Sequence, residues 1–168
     1  MQIKAGPIIT PDGNPITVSA PTTNISMLNL SAFQAISLFG YDFTHDGADQ
    51  LYTLQLHELV SNTWITAQYN RNGSTNGGIT TAWSIGGSAV VPAATLTGWL
   101  VTLNNFNNLV PVNADIEGGR KNNATSATLA NGYLGDVPAQ VAYDGFRIQL
   151  SAGGNLTGGT LFPMGIRG

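Results

Sequence analysis

Alternating hydrophobic and polar residues are the most regular feature of this sequence, and they predict β-strands along much of the chain. Residues 146–151 run Phe-Arg-Ile-Gln-Leu-Ser, so that every second side chain is apolar. Residues 51–59 alternate in the same way, with Tyr52, Leu54 and Leu56 sharing one face. A period of two is typical of a strand that buries one face and wets the other.

Weaker alternation predicts further strands. In residues 95–106, Trp99, Val101 and Leu103 fall on one side. The other predicted strands cover residues 35–43, 64–69, 79–85, 137–142 and 161–166. A short turn is predicted near 29–33, and residues 107–135 are the least regular part. Seven or more short strands between Gly and Asn turns predict an all-β sandwich or barrel.

Prolines set the first 25 residues apart from the rest. They occur at Pro7, Pro11, Pro15 and Pro21. Proline at this spacing disfavours central strands and helices, so residues 1–25 are predicted to be an extended arm, followed by one domain over 26–168. The candidate contacts of this arm with a neighbouring protein are Ile3, Lys4, Ile8 and Ile9. A first edge strand with a loop explains the prolines equally well.

The composition narrows the classes of partner. Only 9% of the 168 residues are charged, against about 25% in typical soluble domains. A neutral polar surface suits subunits that pack against neighbours, because few charges have to be desolvated. The net charge of −3 and six scattered basic residues argue against nucleic acid. Without an apolar run of about 20 residues or a signal-peptide pattern, membrane insertion and export are not expected either.

Candidate catalytic and metal-binding residues are few. There is no cysteine and no G-x-S-x-G motif, and the two histidines are His45 and His57. His57 is predicted to face solvent or a subunit contact. A calcium site around residues 42–49 would lack the EF-hand spacing. The carboxylates available for glycosidase chemistry show no distinctive pairing; they are Glu58, Asp115, Glu117, Asp136 and Asp144. We expect no enzyme activity, cofactor or metal.

The C-terminal segment resembles a known group of proteins. The resemblance is carried by Gly154, Asn155, Thr157, Gly159, Thr160, Gly165, Ile166 and Arg167. Their order is similar to the closing hairpin of small jelly-roll domains in virion proteins of tailed bacteriophages, both capsid decoration proteins and tail or fibre components. Pro163 and Met164 stand where that pattern has Leu-Tyr. Because proline cannot donate to a ladder, the last strand is predicted to be an edge or broken.

The resemblance implies a single jelly-roll-like β-sandwich and a function in the phage particle. The expected function is that of a decoration, or cement, protein on the outer capsid surface, made in the host cytoplasm. Its expected partners are its own copies, in a homotrimer, and the major capsid protein. The alternative is a tail or fibre module that binds host glycans, with Trp83 and Tyr133 as stacking residues. The preferred interpretation of the tryptophans is that they are core or subunit-interface residues, because each lies within an alternating strand.

Overall fold

The computed structural model describes residues 15–66, 69, 81–85, 91–106, 112–121, 127–137 and 141–167, with backbone alone for 118–121, 127–137, 166 and 167. Within these residues there is no helix, and eleven strands follow one another. They are β1 (Ile16–Thr17), β2 (Asn24–Met27), β3 (Phe33–His45), β4 (Tyr52–Glu58), β5 (Thr63–Trp64), β6 (Trp83–Ser84), β7 (Thr97–Asn104), β8 (Val112–Lys121), β9 (Ala127–Val137), β10 (Tyr143–Leu150) and β11 (Leu156–Arg167). The protein is all-β, as the alternation predicted.

The strands form two sheets that pack as a sandwich. The larger sheet has the order β1-β11-β3-β7-β8-β9, and the smaller has β2-β10-β4-β5. β5 pairs with the C-terminal end of β4, and β6 pairs with its N-terminal half. The pairs are antiparallel and nested: β1 with β11, β2 with β10, β3 with β7 and β4 with β5. A ribbon wrapped in this nested order, its first four strands alternating between the sheets, is a jelly roll. The jelly-roll-like sandwich is therefore confirmed, and the β8–β9 hairpin widens one sheet.

The core lies between the sheets and consists of every second residue of the central strands. Trp99, Val101 and Leu103 of β7 are buried, which confirms the predicted inner face of that strand. In β10, the residues at 146, 148 and 150 are buried and those at 147 and 149 are partly exposed, as their alternation predicted. Burial of such side chains stabilises each by about 1.5–3 kcal/mol relative to exposure.

Gly40 of β3 makes room for a large aromatic residue in this core. Gly40 pairs with Trp99 of β7, and a Cβ at position 40 would lie 2.5 Å from Trp99 Cε2. The Trp99 ring also contacts Phe43 and Tyr52, with centroid distances of 4.3 and 5.1 Å. Protein interiors are close-packed, so the missing side chain at Gly40 permits this aromatic cluster.

The prediction for residues 107–135 was wrong. Two long strands, β8 and β9, lie there and pair over most of their length. Their sequences include Gly118, Gly119 and Gly132, a residue type that is depleted in strands. Pairing of β8 with β7 along eight residue pairs supplies the ladder that local propensity did not indicate.

The last strand is longer and more central than predicted. The prediction was of an edge strand or a broken one, and β11 is continuous from Leu156 to Arg167, so the broken strand was wrong. β11 lies between β1 and β3. Pro163 pairs with Leu38 of β3. In the described part of the chain, β1 pairs with β11 only at Thr160 and Leu161. Among the described residues, none pairs with Pro163 on the β1 side of the strand, and a position without a ladder partner tolerates a missing N–H.

The segment predicted as an N-terminal arm is described only from residue 15 onwards. Ile16 and Thr17 form β1 on the larger sheet, and Asn24 begins β2 on the smaller one. A bridge between Thr22 and Leu156 fixes the connection between them. The division into an arm over residues 1–25 and a domain over 26–168 stays a prediction, because residues 1–14 lie outside the described residues. The predicted arm contacts at Ile3, Lys4, Ile8 and Ile9 lie outside the described residues.

Candidate functional site

A buried polar pair lies on the outer face of the smaller sheet. His57 Nδ1 is 2.6 Å from Asp144 Oδ1, and His57 is only 5% exposed. The prediction that His57 faces solvent or a subunit was therefore wrong. Asp144 stands at a β-bulge in β10, between the residues that pair with Glu58 and His57. Bulges redirect side chains, and this one brings the carboxylate to the imidazole.

Next to this pair, Arg147 is held in one orientation by its neighbours. Its Cζ lies 4.7 Å from the ring centroid of Trp64, and its Nε donates to Gln55 Oε1 over 2.6 Å. Gln55 is fixed in turn, because its Nε2 donates to the carbonyl oxygen of Thr81 over 2.8 Å. The ring of His57 meets the edge of Trp64 at a centroid distance of 4.9 Å. Partial burial lowers the pKa of Arg147 from its usual range.

This outer-face cluster has the connections of a structural network. The carboxylate of Asp144 is hydrogen-bonded to His57, and Trp64 is covered on one face by Arg147 and at its edge by His57. Nucleophilic catalysis would need a hydroxyl or other nucleophile bonded to such a base. The contacts described for His57 are to Asp144 and Trp64, neither of which is a nucleophile of that kind. The arrangement ties β4, β5 and β10 together.

In the loop considered as a calcium site, residues 42–49, Asp46 and His45 are hydrogen-bonded to other groups of the protein. Asp46 Oδ1 accepts from the Asn155 backbone N–H over 2.7 Å, and Oδ2 accepts from Asn155 Nδ2 over 2.8 Å. The side-chain and then the backbone hydrogen bond from Asn155 hold the pKa of Asp46 below its usual value. His45 is buried, with Nε2 donating to the Val91 carbonyl. Across the described residues, no group of three or more His, Asp or Glu side chains could hold a metal ion.

The candidate glycan-stacking residues lie in different sheets. Trp83 belongs to β6 beside β4, is 3% exposed, and packs edge-on against Tyr69 at a centroid distance of 4.9 Å. Its ring therefore offers no face to a sugar in this structure, and the core interpretation describes it. Tyr133 lies in β9, opposite Ile116 of β8. Trp83 thus belongs to the smaller sheet, and the backbone of Tyr133 belongs to the larger one.

Of the candidate glycosidase carboxylates, Glu58 and Asp144 belong to the smaller sheet, and Asp115, Glu117 and Asp136 belong to the paired strands β8 and β9 of the larger sheet. Glu58 accepts a hydrogen bond from Ser61 at the end of β4, and Asp144 is bonded to His57. Asp115 and Glu117 stand side by side on one face of β8, and Asp136 belongs to β9. Retaining and inverting enzymes need two carboxyl groups that face each other across the scissile bond. Neighbours on one strand of an open sheet face do not have that geometry.

The outer face of the larger sheet carries an unexpected group of apolar residues. In one row across three strands, Phe162 of β11 pairs with Phe39 of β3, and Phe39 pairs with Leu100 of β7. The Tyr41 ring stacks on Phe162 at 5.7 Å and lies 6.0 Å from Phe39. Met164 follows on β11. We call Phe39, Tyr41, Leu100, Phe162 and Met164 the apolar strip.

The apolar strip is open to solvent on a face that should be polar. Phe39 is 45%, Leu100 38% and Met164 47% exposed. Contiguous exposed apolar side chains mark interaction surfaces far more often than single ones do. Sequence alternation did not identify the strip, because its members pair across strands that are far apart along the chain. The available signal was the dense apolar run in residues 33–43, where both strand faces carry large side chains.

Two carboxylates border the strip on β8. Glu117 pairs with Leu100 and continues the row that contains Phe39. Asp115 pairs with Thr102 in the next row, which runs through Ser37 to Met164. Both carboxylates are exposed. The apolar strip on β11, β3 and β7 is thus bordered on β8 by two carboxylates.

Fold and surface together define a jelly-roll β-sandwich protein with one apolar, acid-bordered sheet face. No protein-family model matches the chain, and a comparison with curated proteins gives no match either. In the part of the chain that the structure describes, no helix has the length and apolar character needed to span a membrane.

Proposed function

We propose that the protein is a structural component of a bacteriophage particle. In this proposal it is a decoration protein that binds the outer capsid surface as a homo-oligomer and stabilises the head. The observation that carries the proposal is the apolar strip. Contact of apolar side chains with water is unfavourable, and burial of the strip against a partner removes that contact. The jelly-roll topology and the low content of charged residues support the same function.

The proposed activity is binding without chemistry. Each copy would contact the major capsid protein, and a homotrimer would hold three such contacts at once. Linked contacts raise the overall affinity by orders of magnitude without any new interface, because the second and third binding steps become intramolecular. A small subunit can stabilise a large shell in this way by bridging adjacent capsid subunits.

The first test is the composition and stability of the particle. Mass spectrometry of purified virions should detect the protein. Heads of a phage that lacks its gene should release DNA at a lower temperature than heads that contain the protein. Adding the purified protein back should restore the higher temperature. If the protein is missing from virions, the proposed function is wrong.

The second test is the state of the purified protein. Light scattering at micromolar concentration should give about three times the chain mass of 17.5 kDa. A glycan array probed with the same sample should show no sugar-dependent binding. Strong binding to a defined glycan would instead favour the tail or fibre alternative.

A further inference from the structure

We infer that the apolar strip and the carboxylates of Asp115 and Glu117 form one docking face for a partner that presents apolar side chains beside Lys or Arg. Copies of this chain do not pair with each other through this face. The inference rests on the proposed function, since the capsid protein is the partner that it describes. Beyond that function, the inference identifies the outer face of the larger sheet as the binding surface and predicts apolar and basic side chains on the partner. It also excludes this face as a contact between copies of the chain.

The positions of apolar and acidic residues on this face require a partner with two kinds of contact. Phe162, Phe39 and Leu100 form a continuous apolar row, and Glu117 ends that row on β8. A partner that covers the row also approaches the carboxylate. Removing a carboxylate from water without a cation is costly, whereas a Lys or Arg opposite it forms a charge-assisted hydrogen bond.

The described residues of this chain do not supply that cation. No described side chain on the outer face of the larger sheet is basic. Arg147, the basic residue whose side chain is described, lies on the other sheet and is engaged with Trp64 and Gln55. Charge complementarity therefore favours a partner of different composition.

Pairing of two identical copies through this face fails in both limiting orientations. In a two-fold dimer, the same surface meets itself. With the axis across the strands, β8 lies on β8 and the carboxylates of Asp115 and Glu117 repel their equivalents. With the axis along the strands, β8 lies on β11 and the carboxylates are pressed against Phe162 and Met164. Among the described side chains, neither arrangement places a basic group opposite Asp115 or Glu117.

The decisive experiment measures binding of fluorescently labelled protein to heads from which the protein has been deleted. The variants Phe39→Ser and Leu100→Ser test the apolar part, and Glu117→Lys tests the acidic part. Matched controls are Val60→Ser, an exposed apolar residue after β4, and Asp49→Lys, an exposed acid in the loop between β3 and β4. Circular dichroism establishes that each variant is folded.

The expected results separate the inference from the proposed function. Each serine variant should raise Kd by roughly tenfold or more, and Glu117→Lys by roughly tenfold with a reduced dependence on salt. The controls should stay within about twofold, as for exposed sites outside an interface. If the wild type does not bind heads, the proposed function fails. If the wild type binds and Glu117→Lys binds equally well, the inference alone is wrong.

Sedimentation of the same samples tests the exclusion of self-pairing. Phe39→Ser and the wild type should have the same oligomeric mass, because the face is reserved for another protein. A loss of oligomer in Phe39→Ser, with no loss in Val60→Ser, would show that copies pair through the strip and would overturn the inference.

Discussion

At the scale of single residues, the outer face of the smaller sheet shows why alternation does not determine burial. Thr53, Gln55 and His57 alternate with the core residues of β4 as solvent-facing residues do, yet all three are buried. Their burial depends on groups that pack over the sheet, such as the Thr81 carbonyl bonded to Gln55. The sequence shows the face on which a residue lies but not what covers it.

Removal of His57 should destabilise the fold. In His57→Phe, the Asp144 carboxylate stays buried without its hydrogen-bond partner, so the free energy of unfolding should fall by about 1–3 kcal/mol. Urea denaturation measures this change. The exposed carboxylate of Asp115 offers a control, since Asp115→Asn should change stability by no more than about 0.5 kcal/mol. Equal stability of His57→Phe and wild type would show that the pair contributes nothing.

Ionisation of Asp46 should make the stability of the fold depend on pH. Its pKa is lowered in the folded state by hydrogen bonds from Asn155, so it stabilises the fold at pH values above its unfolded pKa near 3.8. That contribution is lost as the pH falls through the lowered folded value. Asp46→Asn should therefore be less stable than wild type at pH 7, with a difference that shrinks towards pH 2. Unfolding curves across this range measure the difference, and one that stays constant with pH would contradict the assignment.

At the scale of elements, glycines in β11 and the preceding turn set its path. Gly159 has φ of 122°, and a Cβ there would lie 2.5 Å from Phe43 Cγ. Gly153 also has a positive φ, of 87°, but a Cβ there would meet nothing within 4 Å. A side chain at Gly153 would therefore strain the backbone only, whereas one at Gly159 would strain the backbone and also collide with Phe43.

Alanine at these two positions should therefore have different effects. Gly153→Ala should cost about 1–2 kcal/mol of unfolding free energy through backbone strain alone. Gly159→Ala should cost a further 1–3 kcal/mol or so, because the buried Phe43 ring must move. Thermal and urea denaturation give both values. Equal costs would mean that the contact with Phe43 is unimportant.

The strands that could be predicted are those with one buried and one wet face. The inner faces of β7 and β10 followed from alternation, and the jelly-roll order followed from the C-terminal resemblance. β8 and β9 could not be predicted, because their glycines weaken the local signal, and the ladders of β7 with β8 and of β8 with β9 leave no mark in the alternation. The apolar strip was missed for a related reason: Phe39 and Phe162 meet only through the nested pairing of β3 with β11. Similarly, Asp144 reaches His57 through a bulge that connects residues 87 positions apart.

At the scale of the whole molecule, the two outer faces differ in kind. The smaller sheet covers its polar residues with an internal network around Trp64 and Arg147. The larger sheet exposes the apolar strip and two carboxylates. The outer polar groups of the smaller sheet are hydrogen-bonded to one another, whereas the outer face of the larger sheet leaves apolar side chains exposed, as interaction surfaces do.

The proposal that this protein decorates a phage head is tested most directly by electron cryo-microscopy of the virion. We expect density for the jelly roll on the outside of the head, with β3, β7 and β11 turned towards the capsid protein and a basic residue opposite Glu117. A head that lacks the protein, or one that carries it with the apolar strip facing solvent, would contradict the proposal.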